Sequence, residues 1–135
     1  MNYNTNALKQ EYLTQSVMTA SPAELVVMLF DACIKNVKLA VLSLEGTPNP
    51  DKANTHFIKA QMIIDELVGS LDPAIELSGQ LLPIYDFLLR SLRDMNIKKD
   101  AAGADDLLEI LQSLRDTWHQ IARPQGAPEG MEVEV

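Results

Sequence analysis

Apolar residues recur along most of this chain at intervals of three and four, with polar residues between them, which is the pattern of helices that bury one face. The clearest start is Ser21-Pro22-Ala23-Glu24, where serine can cap a helix, proline suits its first position and glutamate closes a capping box. The pattern predicts a first helix from Pro22 to about Leu44, before glycine and proline residues that break it. Its first turns are apolar on every side, so we expect other elements to pack all round them.

Two other segments have a single, regular apolar stripe. A second helix is predicted from near Asp51 to the pair Asp72-Pro73, and a fourth over about Ala101 to Ile121. The stripe of the second helix consists of Ala53, Phe57, Ala60, Ile64, Leu67 and Leu71. That of the fourth consists of Ala104, Leu107, Leu111, Leu114, Trp118 and Ile121. Both stripes are expected to face the core.

The third helix is predicted to open at Asp72-Pro73 and has an unusually wide apolar face. The stripe expected in the core consists of Ala74, Leu77, Leu81, Ile84, Leu88 and Met95. A flank about 100° away consists of Leu82, Tyr85, Leu89 and Leu92. Pro83 interrupts the helix after its early turns, where it should kink rather than end so well patterned a segment.

Four helices of roughly 20 residues, each about 30 Å long and joined by short loops, predict an all-α fold, an antiparallel four-helix bundle. The bundle is expected to span residues 21–123, after an N-terminal segment of residues 1–20. Residues 124–135 contain proline and glycine followed by alternating glutamate and valine. This composition predicts a disordered acidic tail.

Charge and cysteine content restrict the partners and the compartment. The 135 residues carry a formal net charge of -8, which disfavours nucleic acid and anionic lipid as partners. No apolar run approaches the roughly 20 residues needed to cross a bilayer. The single cysteine, Cys33, cannot form an internal disulfide and is expected to be a buried, inert thiol. We therefore expect a protein of the cytosol.

The chain lacks the motifs of catalytic helical bundles, which carry Glu-x-x-His on two helices and further glutamates in the core. The nearest fragment joins Asp116 to His119, and we interpret it, like His56, as part of a solvated helix face. There is no glycine-rich phosphate loop, no cysteine pair spaced for zinc and no nucleophilic serine motif. The sequence therefore predicts neither an enzyme nor a bound metal or cofactor.

Some apolar residues exceed what a bundle core requires, namely Ile58 and Met62 on the second helix and Leu82, Tyr85 and Leu89 on the third. They either pack against neighbouring helices or lie exposed singly, as apolar residues often do, or they line a groove for an amphipathic partner helix. Methionine suits such a groove because its side chain adapts to irregular shapes. The sequence leaves both alternatives open.

The segment before the first helix combines Asn, Thr, Gln and Ser with a few apolar or amphipathic residues, among them Tyr12 and Val17. It is either a lid, which covers an apolar groove and leaves when a partner binds, or a static plug that completes the core.

The run from Tyr12 to Asp31, YLTQSVMTASPAELVVMLFD, resembles the opening signature of the flagellin export chaperone family, FliS. Leu81, Ile84-Tyr85-Asp86-Phe87, Leu92 and Asn96 are similar to that family's third-helix pattern, and Leu114-Arg115 with Trp118 resembles its closing motif. The resemblance extends from about Tyr12 to His119. The departures are mild: Phe30 stands where the family usually has tyrosine, and Pro83 is less expected within the third helix.

The resemblance implies a cytosolic chaperone of the flagellar type III secretion system. Such a protein binds the disordered C-terminal segment of flagellin, prevents its premature polymerisation and delivers it to the export gate. On this interpretation Tyr12 and Val17 belong to the displaceable lid. The groove is then lined by Ile58, Met62, Leu82, Tyr85 and Leu89.

Two rival functions remain at this point. One is a regulatory binding protein that uses the same surface to sequester a flagellar regulator, in which case flagellin and regulator exclude each other. A ferritin-like metal enzyme predicts iron or manganese in the purified protein. Without cargo, exposed apolar grooves can pair, so the free protein is expected to be a monomer or a weak homodimer.

Overall fold

The computed structural model describes residues 20–122, which fold into helices without strands. Four helices follow one another: α1 (Pro22–Ser43), α2 (Pro50–Gly69), α3 (Glu76–Lys98) and α4 (Ala104–Ala122). The predicted all-α bundle is confirmed. Tyr12 and Val17, with the rest of the predicted lid apart from Ala20, lie outside the described residues, as does the predicted tail.

The start of α1 is the capping box that the sequence predicts. Ser21 Oγ accepts a hydrogen bond from the backbone N–H of Glu24 at 3.2 Å, and the Glu24 carboxylate accepts one from the Ser21 N–H at 3.2 Å. Pro22 occupies the first turn, where its missing N–H costs nothing. The helix ends at Ser43, within one residue of the prediction.

Two helices begin later than predicted because aspartates hold the preceding turns. The Asp72 carboxylate accepts a hydrogen bond from the Ala74 N–H at 3.0 Å, and α3 begins only at Glu76. Asp100 accepts one from the Ala102 N–H at 2.9 Å. In both loops the side chain satisfies a backbone donor outside the helix, which favours a turn over an additional helical turn.

The helices run alternately up and down. α1 packs against both α2 and α4, and α2 packs against α3, whereas α3 and α4 keep a wider separation. The pairing is antiparallel: Asn54 of α2 accepts a hydrogen bond from Asn96 of α3 at 2.9 Å. Arg115 of α4 similarly donates to Asp31 of α1 at 2.9 Å.

The core-facing stripe of α3 differs from the prediction. Its buried residues are Ser78, Leu81, Tyr85, Leu88, Leu92, Met95 and Asn96, which follow one another in steps of three and four except for the adjacent last pair. Leu77 and Ile84, predicted in the core, are exposed. Leu81, Leu88 and Met95 of the predicted stripe are buried as expected. Tyr85 and Leu92 of the predicted flank are buried with them, so the core-facing stripe runs between the two that the pattern distinguishes.

Pro83 lies inside α3, and the helix continues through it from Glu76 to Lys98. Proline at this position lacks the backbone N–H donor, and its ring clashes with the carbonyl group four residues earlier. That carbonyl belongs to Gly79, near the solvated start of the helix, where it is readily hydrated.

None of the helices between residues 20 and 122 is both long and apolar enough to cross a bilayer.

Candidate partner-binding site

An open apolar groove of about 730 Å³ lies where the start of α1, the end of α2 and the start of α3 meet. We call it the N-terminal groove. Leu25, Val26 and Leu29 of α1 form one wall, and Ile75 and Leu77 at the start of α3 form the other. Because Ile75 and Leu77 are both exposed, the groove presents large aliphatic side chains to whatever occupies it.

The floor of this groove consists of core residues and a residue packed against the core. It is lined by Leu81 and Tyr85 of α3 and by Trp118 of α4. Tyr85 is only 1% exposed and its ring packs at 56° against that of Phe30, with 6.3 Å between the ring centroids. Burial raises the pKa of the Tyr85 hydroxyl above its usual value, while a hydrogen bond with Trp118 acts in the opposite direction. The floor of the groove is therefore continuous with the hydrophobic core.

The charged residues that line the N-terminal groove are all acidic. Asp65 and Glu66 near the end of α2 and Asp72 in the following turn provide them. Pro22 and Ala23 line the same groove, so the polypeptide that precedes α1 joins the described chain at its edge.

The structure does not bring the predicted groove residues together in one groove. Ile58 and Met62 are exposed, by 41% and 63%, and lie one turn apart on the side of α2 away from its buried stripe. Leu82 is 48% exposed, and Leu89 is half-buried against the core. None of these four residues lines the N-terminal groove.

Tyr85 lies in the core. The sequence left open whether Tyr85, like Leu82 and Leu89, packs against neighbouring helices or lines a groove, and the structure buries it within the hydrophobic core. Its ring contributes only to the floor of the N-terminal groove. The physical reason is the position of the buried stripe of α3, which places the Tyr85 ring against that of Phe30 on α1. The partner-binding role of all five residues, Ile58, Met62, Leu82, Tyr85 and Leu89, remains a prediction.

Sequence reasoning missed the walls of the N-terminal groove. Ile75 was not considered, and Leu77 was expected in the core. For α1 a signal was available, because the apolar run that includes Leu25, Val26 and Leu29 covers every side of the helix. Such a helix needs more cover than two neighbours supply, and the structure leaves this part of it open to the groove.

The described residues do not form a metal-binding cluster: no group of three or more His, Cys, Asp or Glu side chains converges between residues 20 and 122. Cys33 is fully buried, and its Sγ lies 3.8 Å from the carbonyl oxygen of Ala60. Burial raises the pKa of this thiol to about 12, so it is protonated and unreactive at neutral pH.

His56 lies at the α1–α2 seam and has a structural partner. Its Nδ1 lies 2.9 Å from Oδ1 of Asn36, whose own amide nitrogen donates to the Ala32 carbonyl. Partial desolvation lowers the pKa of His56 below its usual value, and the positive charges of Lys59, Lys52 and Lys35 lower it further. Both effects favour the neutral imidazole in the folded state.

Comparison with known proteins gives one consistent result. Residues 4–125 match the family model described as "Flagellar protein FliS". The chain is 38% identical over 109 residues to the flagellar secretion chaperone FliS of Bacillus subtilis, covering 81% of each chain. It is 32% identical over 119 residues to that of Salmonella typhimurium, covering 86% of this chain and 87% of the relative. A bacterial flagellar chaperone crystal structure, 22% identical, has the same fold with a TM-score of 0.70 over 87% of this chain and 96% of that one.

Proposed function

The chain belongs to the FliS family of flagellar proteins, and from that premise we propose that it binds the disordered C-terminal segment of flagellin, prevents its premature polymerisation and delivers it to the flagellar type III export apparatus. The family is one of flagellar secretion chaperones and not of enzymes. A role as a chaperone in flagellar export therefore follows from the family, and binding of the flagellin segment and of the export gate is what we propose.

The observation that carries the proposal is the N-terminal groove. A bundle of this size would ordinarily cover the apolar side chains at the start of its first helix, but here Leu25, Val26 and Leu29 face an open cleft of about 730 Å³. An amphipathic segment that folds as it binds would bury these side chains and the exposed Ile75 and Leu77 opposite them. Ordering the segment costs conformational entropy, which the burial of apolar surface offsets.

The groove alone is shorter than a long cargo segment, so we assign further contacts to the exposed apolar residues on α2 and α3. Ile58 and Met62 form one such patch, and Leu82 forms another. Leu89 is half-buried and contributes only its edge. A segment that passes from the groove over Leu82 would extend the interface along α3.

The N-terminal segment with Tyr12 and Val17 is proposed as the displaceable lid of this site. The reason is its point of attachment, since Pro22 and Ala23 line the N-terminal groove. A covalently attached segment is present at high effective concentration and protects an apolar groove until cargo competes for it. We place the protein in the cytosol, where newly made flagellin is captured and where a lone buried thiol such as Cys33 stays reduced.

The test is calorimetric titration with monomeric flagellin from the same organism, full-length or lacking the C-terminal segment. Full-length flagellin alone is expected to bind, with a negative heat-capacity change from apolar burial. Leu77→Asp should weaken binding at least about tenfold, an energy of about 1.4 kcal/mol. Ile97→Asp, on the same helix and 75% exposed outside the groove, is the matched control and should bind normally. Equal binding of truncated flagellin, or equal binding by both variants, would contradict the proposal.

A further inference from the structure

A second groove lies on another side of the bundle, between α3 and α4. Two adjacent cavities of about 230 and 470 Å³ follow these helices, and both are lined by Asp106 and Ile110. We call them together the α3–α4 groove. It exists because α3 and α4 keep a wider separation than the other neighbouring helices. None of its lining residues lines the N-terminal groove.

The α3–α4 groove exposes apolar side chains that a bundle would normally bury. Phe30 and Phe57 are completely buried, but Phe87 is 48% exposed and lines this groove. Ile84 is also exposed here, and Ile110 and Leu114 of α4 face it half-buried. Exposed aromatic residues in a cleft are frequent anchors of protein interfaces.

The charged residues that line the α3–α4 groove are all acidic. Asp94 and Asp106 line one cavity, Asp106 and Glu109 line the other, and neither is lined by lysine, arginine or histidine. Asp94 has an exposed ion pair with Lys98 at 3.2 Å. Within residues 20–122, Asp106 and Glu109 have no ion pair. Two unneutralised carboxylates therefore face an occupant beside its apolar contacts.

From this combination we infer that the α3–α4 groove docks a short amphipathic helix of a partner protein, with lysine or arginine residues beside its apolar ridge. The apolar ridge would pack on Phe87, Ile84 and Ile110, and the basic residues would pair with Asp106 and Glu109. The lined part of α3 runs from Ile84 to Met95, which corresponds to about 16 Å of helix. A partner helix of about three turns fits that length. Its apolar anchor residues would stand one and two turns apart.

This surface does not depend on the flagellin proposal, and its test uses no flagellin in its first step. Two synthetic peptides of about 14 residues, four helical turns, share one leucine ridge and differ only in flanking residues, lysine in one and glutamate in the other. Binding is followed by fluorescence anisotropy of labelled peptide with the full chain. The lysine peptide is expected to bind at least about tenfold more tightly, and its binding should weaken as salt rises.

Variants locate the binding. Asp106→Asn with Glu109→Gln should weaken binding of the lysine peptide at least about tenfold, and so should Phe87→Ser alone. The matched control neutralises two exposed carboxylates elsewhere, Glu45→Gln with Asp51→Asn, and should bind the peptide normally. Circular dichroism of each variant shows that the bundle is retained.

Five results would overturn the inference. Equal weakening by the two charge-neutralised variants would mean attraction to net charge alone. Equal binding of both peptides, or no binding of either, would contradict the proposal that the partner helix is basic. A dimer of the free chain that dissociates on Phe87→Ser would assign the groove to a second copy. Displacement of the lysine peptide by the flagellin C-terminal segment would assign it to the cargo.

Discussion

The rings of Phe30 on α1 and Tyr85 on α3 lie 6.3 Å apart between centroids, tilted by 56°, and so join two helices that are not neighbours in the chain. Both side chains are fully buried. Tilted aromatic pairs of this kind contribute roughly 0.5–1.5 kcal/mol beyond the burial of their area. The pair ties the floor of the N-terminal groove to the centre of the core.

Removal of the Tyr85 ring tests whether this residue belongs to the core. Tyr85→Ala is expected to reduce the free energy of unfolding by about 3–5 kcal/mol, because it deletes a buried aromatic ring and leaves a cavity against Phe30. Tyr85→Phe keeps the ring and should cost far less. Urea denaturation measures both. A Tyr85→Ala protein as stable as the parent would show that the ring is not part of the core.

Charged substitutions on the exposed patches should leave the fold intact. Met62→Asp and Leu82→Asp replace side chains that are more than two-fifths exposed, so each should change the free energy of unfolding by less than about 1 kcal/mol. If these patches contact cargo, flagellin binding measured by calorimetry will weaken. Ile97→Asp controls for the added charge. Global unfolding of either variant would mean that core has been mistaken for surface.

Gln61 offers a route to a more stable protein. Its amide nitrogen is shut off from solvent and has no hydrogen-bond partner among the described residues. Such a donor costs about 1–3 kcal/mol, so Gln61→Met should raise the free energy of unfolding by about 1 kcal/mol. Gln61→Glu has a similar shape but places a charge there, and should destabilise. A thermal melt that ranked the glutamate variant above the methionine variant would contradict this explanation.

His56 should make stability depend on pH on the acidic side of neutrality. Its pKa is lowered in the folded state, first by desolvation and then by Lys59, Lys52 and Lys35, so the unfolded chain binds the proton more readily. The contribution to stability is complete above the unfolded pKa near 6.5 and is lost as pH falls through that value towards the folded one. His56→Gln should therefore lose less stability than the parent between about pH 7 and pH 5.5. Identical pH profiles from urea denaturation would contradict the shift.

The order and limits of the helices could be predicted from sequence because the signals are local. The capping box at Ser21 and Glu24 involves residues three apart, and it forms as expected. The delayed start of α3 was harder to predict, since the same Asp72 that marks a boundary also holds a turn. Such local competition shifts a boundary by a few residues without changing the fold.

The face of α3 could not be decided from its own sequence. Leu77 and Ile84 alternate with Leu81 and Tyr85 around the helix, and which pair is buried depends on where α1 and α2 stand. Both grooves are less predictable still, because each joins side chains from helices that are distant in the chain. A pattern along one helix indicates that apolar surface exists but not what stands opposite to it.

The position of α1 between α2 and α4 has a consequence for synthesis on the ribosome. Arg115 of α4 contacts Asp31 of α1 across 84 residues of sequence. One side of α1 therefore has no packing partner until α4, the last helix described, has been synthesised. During translation α1 and α2 can pair early, but the opposite side of α1 stays uncovered until α4 leaves the exit tunnel. Closure of the bundle therefore follows the synthesis of α4, and the nascent chain is most prone to aggregate in the interval before it.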